Sequence, residues 1–120
     1  MYTRNYVRHY YCITMVMKDI LERLESLKKN LPSNCTLANV TKLQSRFLEY
    51  QHLIASLPPE KEALQQQHKK NIGLIKLKID AIDYRGDSLK VTRHHFKDAV
   101  GSMHADIDSL TESIAGEEQK

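Results

Sequence analysis

Apolar residues recur alternately three and four positions apart along nearly the whole of this 120-residue chain, and only an α-helix brings residues so spaced onto one face. A strand would need alternation by two. The first run is Ile13, Met17, Ile20, Leu24, Leu27 and Leu31, with Leu21 widening the stripe, until Pro32 stops it for want of an amide hydrogen. The spacing predicts a helix over about 12–31, preceded by an N-terminal extension over 1–11. Pro32 to Thr36 reads as a short connection, with Ser33, Asn34 or Thr36 available to cap the next helix.

The second run is Leu37, Val40, Leu43, Phe47, Tyr50, Ile54, Leu57 and Leu64, with Lys61 standing where an apolar residue is due. It predicts a helix over about 36–70, kinked or broken at Pro58-Pro59, with Glu60 to Lys70 kept helical by good helix formers. Asn71-Ile72-Gly73 is the next loop signal. The third run, Ile75, Ile79, Ile82, Gly86, Leu89, Arg93, Phe96, Val100, Met103, Ile107, Leu110 and Ile114, predicts one long helix over about 72–114. At about 1.5 Å per residue it would approach 60 Å. Gly86 and Arg93 interrupt its apolar face, and Gly86→Leu is expected to stabilise the fold if that gap faces the core. Residues 115–120 are expected to fray.

Three amphipathic helices on short links bury their stripes by packing together, so the fold class is all-α: a three-helix antiparallel (up-down-up) left-handed coiled-coil bundle. The expected core is Ile20, Leu24, Leu27, Val40, Leu43, Phe47, Tyr50, Ile54, Leu57, Leu64, Ile75, Ile79, Ile82, Leu89, Phe96 and Val100. Composition agrees: Gly and Pro number only four and three, too few for a sheet with many turns. At 41% hydrophobic and 28% charged the chain is too apolar for a disordered tail, and no run is long enough to cross a bilayer.

Candidate chemistry is sparse. Cys12 and Cys35 lack CxxC spacing, which favours a reduced, cytoplasmic setting. The patch Tyr11 to Met17 mimics a signal peptide but has no small-residue cleavage site, and the sequons at Asn34 and Asn39 read as turn and helix-start residues. Of the six histidines, His94 and His95 point about 100° apart, and His68 and His104 have no histidine four residues away, so no metal site is expected. His94 with Asp98 and His104 with Asp108 read as helix-surface pairs. Gly73, Gly86, Gly101 and Gly116 stand singly and build no phosphate loop, and no loop offers a nucleophile beside a base. Neither catalytic residues nor a cofactor are expected. Tyr2, Tyr6, Tyr10 and Tyr11 with Arg4, Arg8 and His9 form the single aromatic-basic cluster; it reads first as an extension of the first helix, with Tyr10 packed near the end of the third, and otherwise as a surface for nucleic acid, a membrane or a partner helix. The ends differ in sign, six Lys/Arg against three acids over 1–31 and one against five over 101–120.

Leu37-Ala38-Asn39-Val40 through Leu43, then Ile54-Ala55-Ser56 and Pro59 before Ala63-Leu64, resemble the second helix of the spectrin repeat, and Ile75, Ile79, Ile82, Leu89 and Phe96 resemble its third. The resemblance covers roughly Ile13 to Val100. It departs from the family in having no tryptophan, with Leu21 where the first-helix tryptophan would stand and Gly86 in place of the third-helix aromatic. The resemblance implies a non-catalytic spacer and protein-interaction module of a cytoskeletal or nuclear-anchorage linker. Its partners would be cytoskeletal proteins or neighbouring repeats, and the single repeat would be monomeric. An oligomerising coiled-coil adaptor is the alternative.

Overall fold

Proline and turn chemistry divide the chain into more pieces than the heptad pattern alone suggests. The computed structural model describes residues 2–118, with side chains over 15–116. Among the described residues there are four α-helices and no strand: α1 Tyr2–Lys29, α2 Leu37–Ala55, α3 Glu62–Asp80 and α4 Leu89–Glu118. The all-α class stands, but the helices number four where three were expected. The segment 1–11 falls within α1 from Tyr2 onward, and α4 continues past Ile114 to Glu118. The side chains of the Tyr/Arg cluster, including Tyr10, lie outside the described residues, as do the last two residues of the tail.

Each boundary has a local cause. At the start of α2 the Thr36 hydroxyl accepts from the Asn39 amide at 3.1 Å, while the Asn39 side chain donates to the Asn34 carbonyl at 2.7 Å. After Ala55 the chain passes through Ser56, Leu57 and Pro58 into a 3-10 turn, Pro59–Lys61, that leads into α3. Gln65, one turn into α3, donates to the carbonyls of Ile54 at 3.0 Å and Ala55 at 3.3 Å, which closes the open end of α2.

The expected loop at Asn71-Ile72-Gly73 does not form; α3 runs straight through it. Ile72 is buried with Ile75 and Ile79, and the gain from burying that face outweighs the helix-weakening effect of one glycine, of order 1 kcal/mol. The long third helix is instead interrupted at 81–88. There Asp83 Oδ1 accepts from the amides of Gly86 at 2.8 Å and Arg85 at 3.2 Å, and Ser88 Oγ accepts from Val91 at the start of α4. The break shifts the buried face: Leu89 is 52% exposed, against its expected core place, and Thr92 and Ala99 are buried where Arg93 and Val100 were expected to point inward. Arg93 faces solvent and Val100 is half-buried, as are Leu64 and Ile82. The other twelve expected core residues are buried, and Met17, Leu53, Ile72, Met103, Ile107, Leu110 and Ile114 join them.

Gly86 thus lies in an exposed turn, and a Cβ there would stand 2.1 Å from Asp83 Oδ2. Gly86→Leu should therefore lower stability, contrary to the sequence expectation, by about 1 kcal/mol as the Asp83 carboxylate is pushed off its two amides. Urea unfolding of the variant reads this directly, and a raised midpoint would contradict it.

Neighbouring helices run antiparallel. Asn71 meets Asp106 while Lys78 meets Asp98, so α3 and α4 are opposed; Gln65 meets Ile54, opposing α2 and α3. Lys28 meets Asp108 at 2.5 Å, and Lys18 and Ala115 line the same surface hollow, so α1 and α4 are opposed and α1 covers the carboxyl half of α4. Beside the amino half of α4 the core is closed by α2, α3 and the link after α1, where Pro32 is buried and Leu31 and Cys35 pack on the core. The molecule measures 65 × 23 × 21 Å. Among the described residues, no helix is long and apolar enough to cross a membrane.

Candidate functional site

One carboxylate sits in the core. Asp106, on the inner face of α4, is 7% exposed, and it accepts hydrogen bonds from two other helices. The Tyr50 hydroxyl of α2 donates to its Oδ2. His68 Nδ1 of α3 is 3.0 Å from the same oxygen, and Asn71 Nδ2, one turn further along α3, donates to Oδ1 at 2.6 Å. Tyr50 and His68 are wholly buried, and His68 Nε2 finds no partner among the described residues. The arrangement places the His68 proton on Nδ1, facing the carboxylate.

Burial alone would raise the Asp106 pKa, but the hydrogen bonds from His68, Tyr50 and Asn71 and the field of His68 outweigh it, and the carboxyl is held below its ordinary range. Tyr50 is pushed far above the ordinary phenol range, first by burial and then by its hydrogen bond to Asp106 and that group's negative charge. The signs of the two contributions differ. The ionised Asp106 stabilises the fold fully above the unfolded carboxylate range, about pH 4, and this stabilisation is lost as pH falls through the lower folded value. The stabilisation from the neutral Tyr50 is fully present below the unfolded phenol value, about pH 10, and is lost as pH rises beyond it. Urea midpoints measured from neutral pH down through the carboxylate range should therefore fall for the wild type, and should fall less for Asp106→Asn. Equal slopes would mean that other carboxylates carry the acid response.

The sequence does not single out this cluster. The spacing puts Tyr50 in the core and Asn71 in a loop, weighs His68 only as a metal ligand and gives Asp106 no place. A signal was present: Leu64, His68, Asn71 and Ile75 keep the four-three spacing that the supposed loop obscured, and a core tyrosine needs a partner for its hydroxyl. The expected surface pairs of His94 with Asp98 and His104 with Asp108 are also replaced. Asp98 meets Lys78 of α3 at 3.3 Å and Asp108 meets Lys28 of α1, while His94 stacks edge-on against His95. Among the described residues no group of three or more His, Cys, Asp or Glu side chains is placed to hold a metal ion.

The cluster reaches the surface at the floor of a groove between α3 and α4 of about 520 Å³. Asn71 and Asp106 form part of that floor; Leu74, Ile75, Leu77 and Lys78 form one wall and Ser102, Ala105 and Ser109 the other. A second hollow shares Ser102 and Ala105 and continues along α4 past Asp98 and Gly101 to Lys97 and His94. Leu74 and Leu77 are 62% and 66% exposed, which leaves two large apolar side chains side by side in water. Chemically the cluster is a register lock: three donors from α2 and α3 converge on one α4 carboxylate, and a helix slipped by a turn, about 5.4 Å, would leave them unmatched. The groove is the part of the site that another molecule can touch. Compared with protein-family models, curated proteins and solved structures, the chain matches none of them.

Proposed function

We propose that this chain is a non-catalytic protein-interaction module that docks partners on the α3–α4 face. The observation that carries this reading is the groove itself, an open hollow between α3 and α4 with Leu74 and Leu77 exposed on one side and the small residues Ser102, Ala105 and Ser109 on the other. A locked core beneath it supports the reading, because a rigid floor lowers the entropic cost of binding. A setting in a cytoskeletal or nuclear-anchorage linker is what the resemblance to spectrin repeats suggests.

The test is solution behaviour. Sedimentation of the isolated chain should give a monomer, with the α3–α4 face open to other proteins. A tight dimer that falls apart on Leu74→Ser with Leu77→Ser would instead make the chain an oligomerising coiled-coil adaptor, its groove already filled by its own kind.

A further inference from the structure

We infer that the α3–α4 face pairs, weakly and reversibly, with a second copy of this chain about a twofold axis, an inference that rests on the interaction-module reading in taking the same groove as its seat. The face is complementary to itself. On α3 the exposed residues Lys70, Leu74 and Leu77 keep the four-three spacing of a single stripe. On α4 Asp98, Gly101, Ala105, Asp108 and Glu112 keep it too, and form a stripe of small side chains bounded by acids. A Cβ at Gly101 would meet nothing within 4 Å, so the space above that stripe is open. One half of the face is therefore bulky and basic and the other small and acidic: 63–79 holds four lysines and no acid, while 98–112 holds Asp98, Asp106, Asp108 and Glu112 and neither lysine nor arginine.

Size and charge select the axis. A twofold parallel to the helices lays each α3 over the α4 of the other copy, antiparallel to it, whereas a twofold across them stacks α3 on α3 and α4 on α4, leucine on leucine and acid on acid. Within one copy Asn71 is level with Asp106, and Lys78 with Asp98 and Ser102. About the first axis, therefore, Lys70 of the second copy comes level with Asp108, Leu74 falls between Ala105 and Gly101, and Leu77 lies beside Gly101. Lys78 takes no part, since it stays with Asp98 and Ser102 inside each copy. Among the described residues Lys70 and Glu112 have no ion-pair partner, and the Asp108 side chain, joined to Lys28, is 49% exposed and open to a second cation. Two leucines per copy make a small apolar centre, which places the contact in the transient class of interfaces below about 1,200 Å². The dilute chain is then a monomer with its groove open, and the concentrated chain caps itself, so that a docking partner competes with the second copy.

The experiment is a dilution series of the isotope-labelled full chain, from about 1 mM to about 10 μM, read by amide resonances and translational diffusion. The resonances of residues 70–78 and 98–112 should move together with concentration, and diffusion should slow at the concentrated end. Lys70→Glu and Asp108→Lys should each pair about tenfold more weakly, because each sets like charges together twice across the axis. Mixed in equal amounts, the two variants should pair as the wild type does, since both contacts then join opposite charges again. Asp108→Lys gives up only a surface pair with Lys28, and its thermal unfolding curve checks the fold. Should that variant unfold early, Leu74→Ser with Leu77→Ser takes its place and should abolish the concentration dependence. A mixture that pairs no better than either variant alone would overturn the axis and the inference with it. Resonances that stay fixed at every concentration would overturn the inference too, while leaving the face to other proteins and the interaction-module reading intact. A dimer already complete at the dilute end would keep the axis but overturn the monomeric module.

Discussion

Asp106→Ala should unfold at a far lower urea concentration than the wild type, with a loss of about 3–5 kcal/mol. The alanine removes the shared acceptor and leaves the Tyr50 hydroxyl and His68 Nδ1 in a core with no substitute, while Asn71, half-buried at the groove floor, can turn to water. Each stranded buried donor costs about 1–3 kcal/mol, and a small cavity adds to that. Asp106→Asn separates charge from shape: its remaining oxygen can stay opposite Tyr50 and His68 while the amide nitrogen takes the place of the oxygen that faces Asn71, so it should fall between wild type and alanine. Tyr50→Phe should cost less than either, because it removes one donor and leaves a carboxylate with two remaining partners. A loss below about 1 kcal/mol for Asp106→Ala would mean that the donors find water and that the cluster does not lock the bundle.

Gly73→Pro should be comparably damaging, at about 3 kcal/mol or more, because Gly73 lies in mid-helix in α3 and not in a loop. A proline there removes an amide that the helix uses and clashes with the carbonyl one turn back. Gly73→Ala provides the opposite sign. A Cβ at this position meets nothing within 4 Å, and relief of glycine's backbone freedom should raise stability by about 0.5–1 kcal/mol. The pair is decisive together. If residues 71–73 were a loop joining two helices, proline would be tolerated and alanine would bring no gain.

Local spacing revealed the helical class and the inward faces of α1 and α2, from Ile20 to Leu57, since those stripes run uninterrupted between prolines and a capping threonine. It misled from residue 71 onward for a physical reason. A heptad can be continued through a turn by coincidence, and the sequence from Ile75 to Ile114 does so, although Asp83, Gly86, Asp87 and Ser88 form a cluster of turn formers in its midst. Treating Gly86 as a gap in a core face, and not as one of that group, joined two helices into one and rotated the expected stripe to Leu89 and Arg93. Asn71-Ile72-Gly73 erred in the opposite direction: local propensity pointed to a loop, and burial of Ile72 beside His68 prevailed. The polar cluster was hidden by the same error, because His68 and Asn71 belong to a stripe that is visible only when α3 is read as one helix. The groove could not be read at all, since it depends on how α3 and α4 face each other.

Successive antiparallel helices that number four among the described residues bring the chain back toward the end from which it set out, with α1 around Lys18 beside α4 near Ala115. A three-helix unit does the reverse, entering at one pole and leaving at the other, and so can be threaded end to end like beads under tension. Built into a longer polypeptide, the present fold would stand out sideways as a branch, and a pull on its two tails would peel α1 from α4 one contact at a time instead of loading the whole length in parallel. Such a branch transmits little force, but it holds the α3–α4 face clear of the main chain.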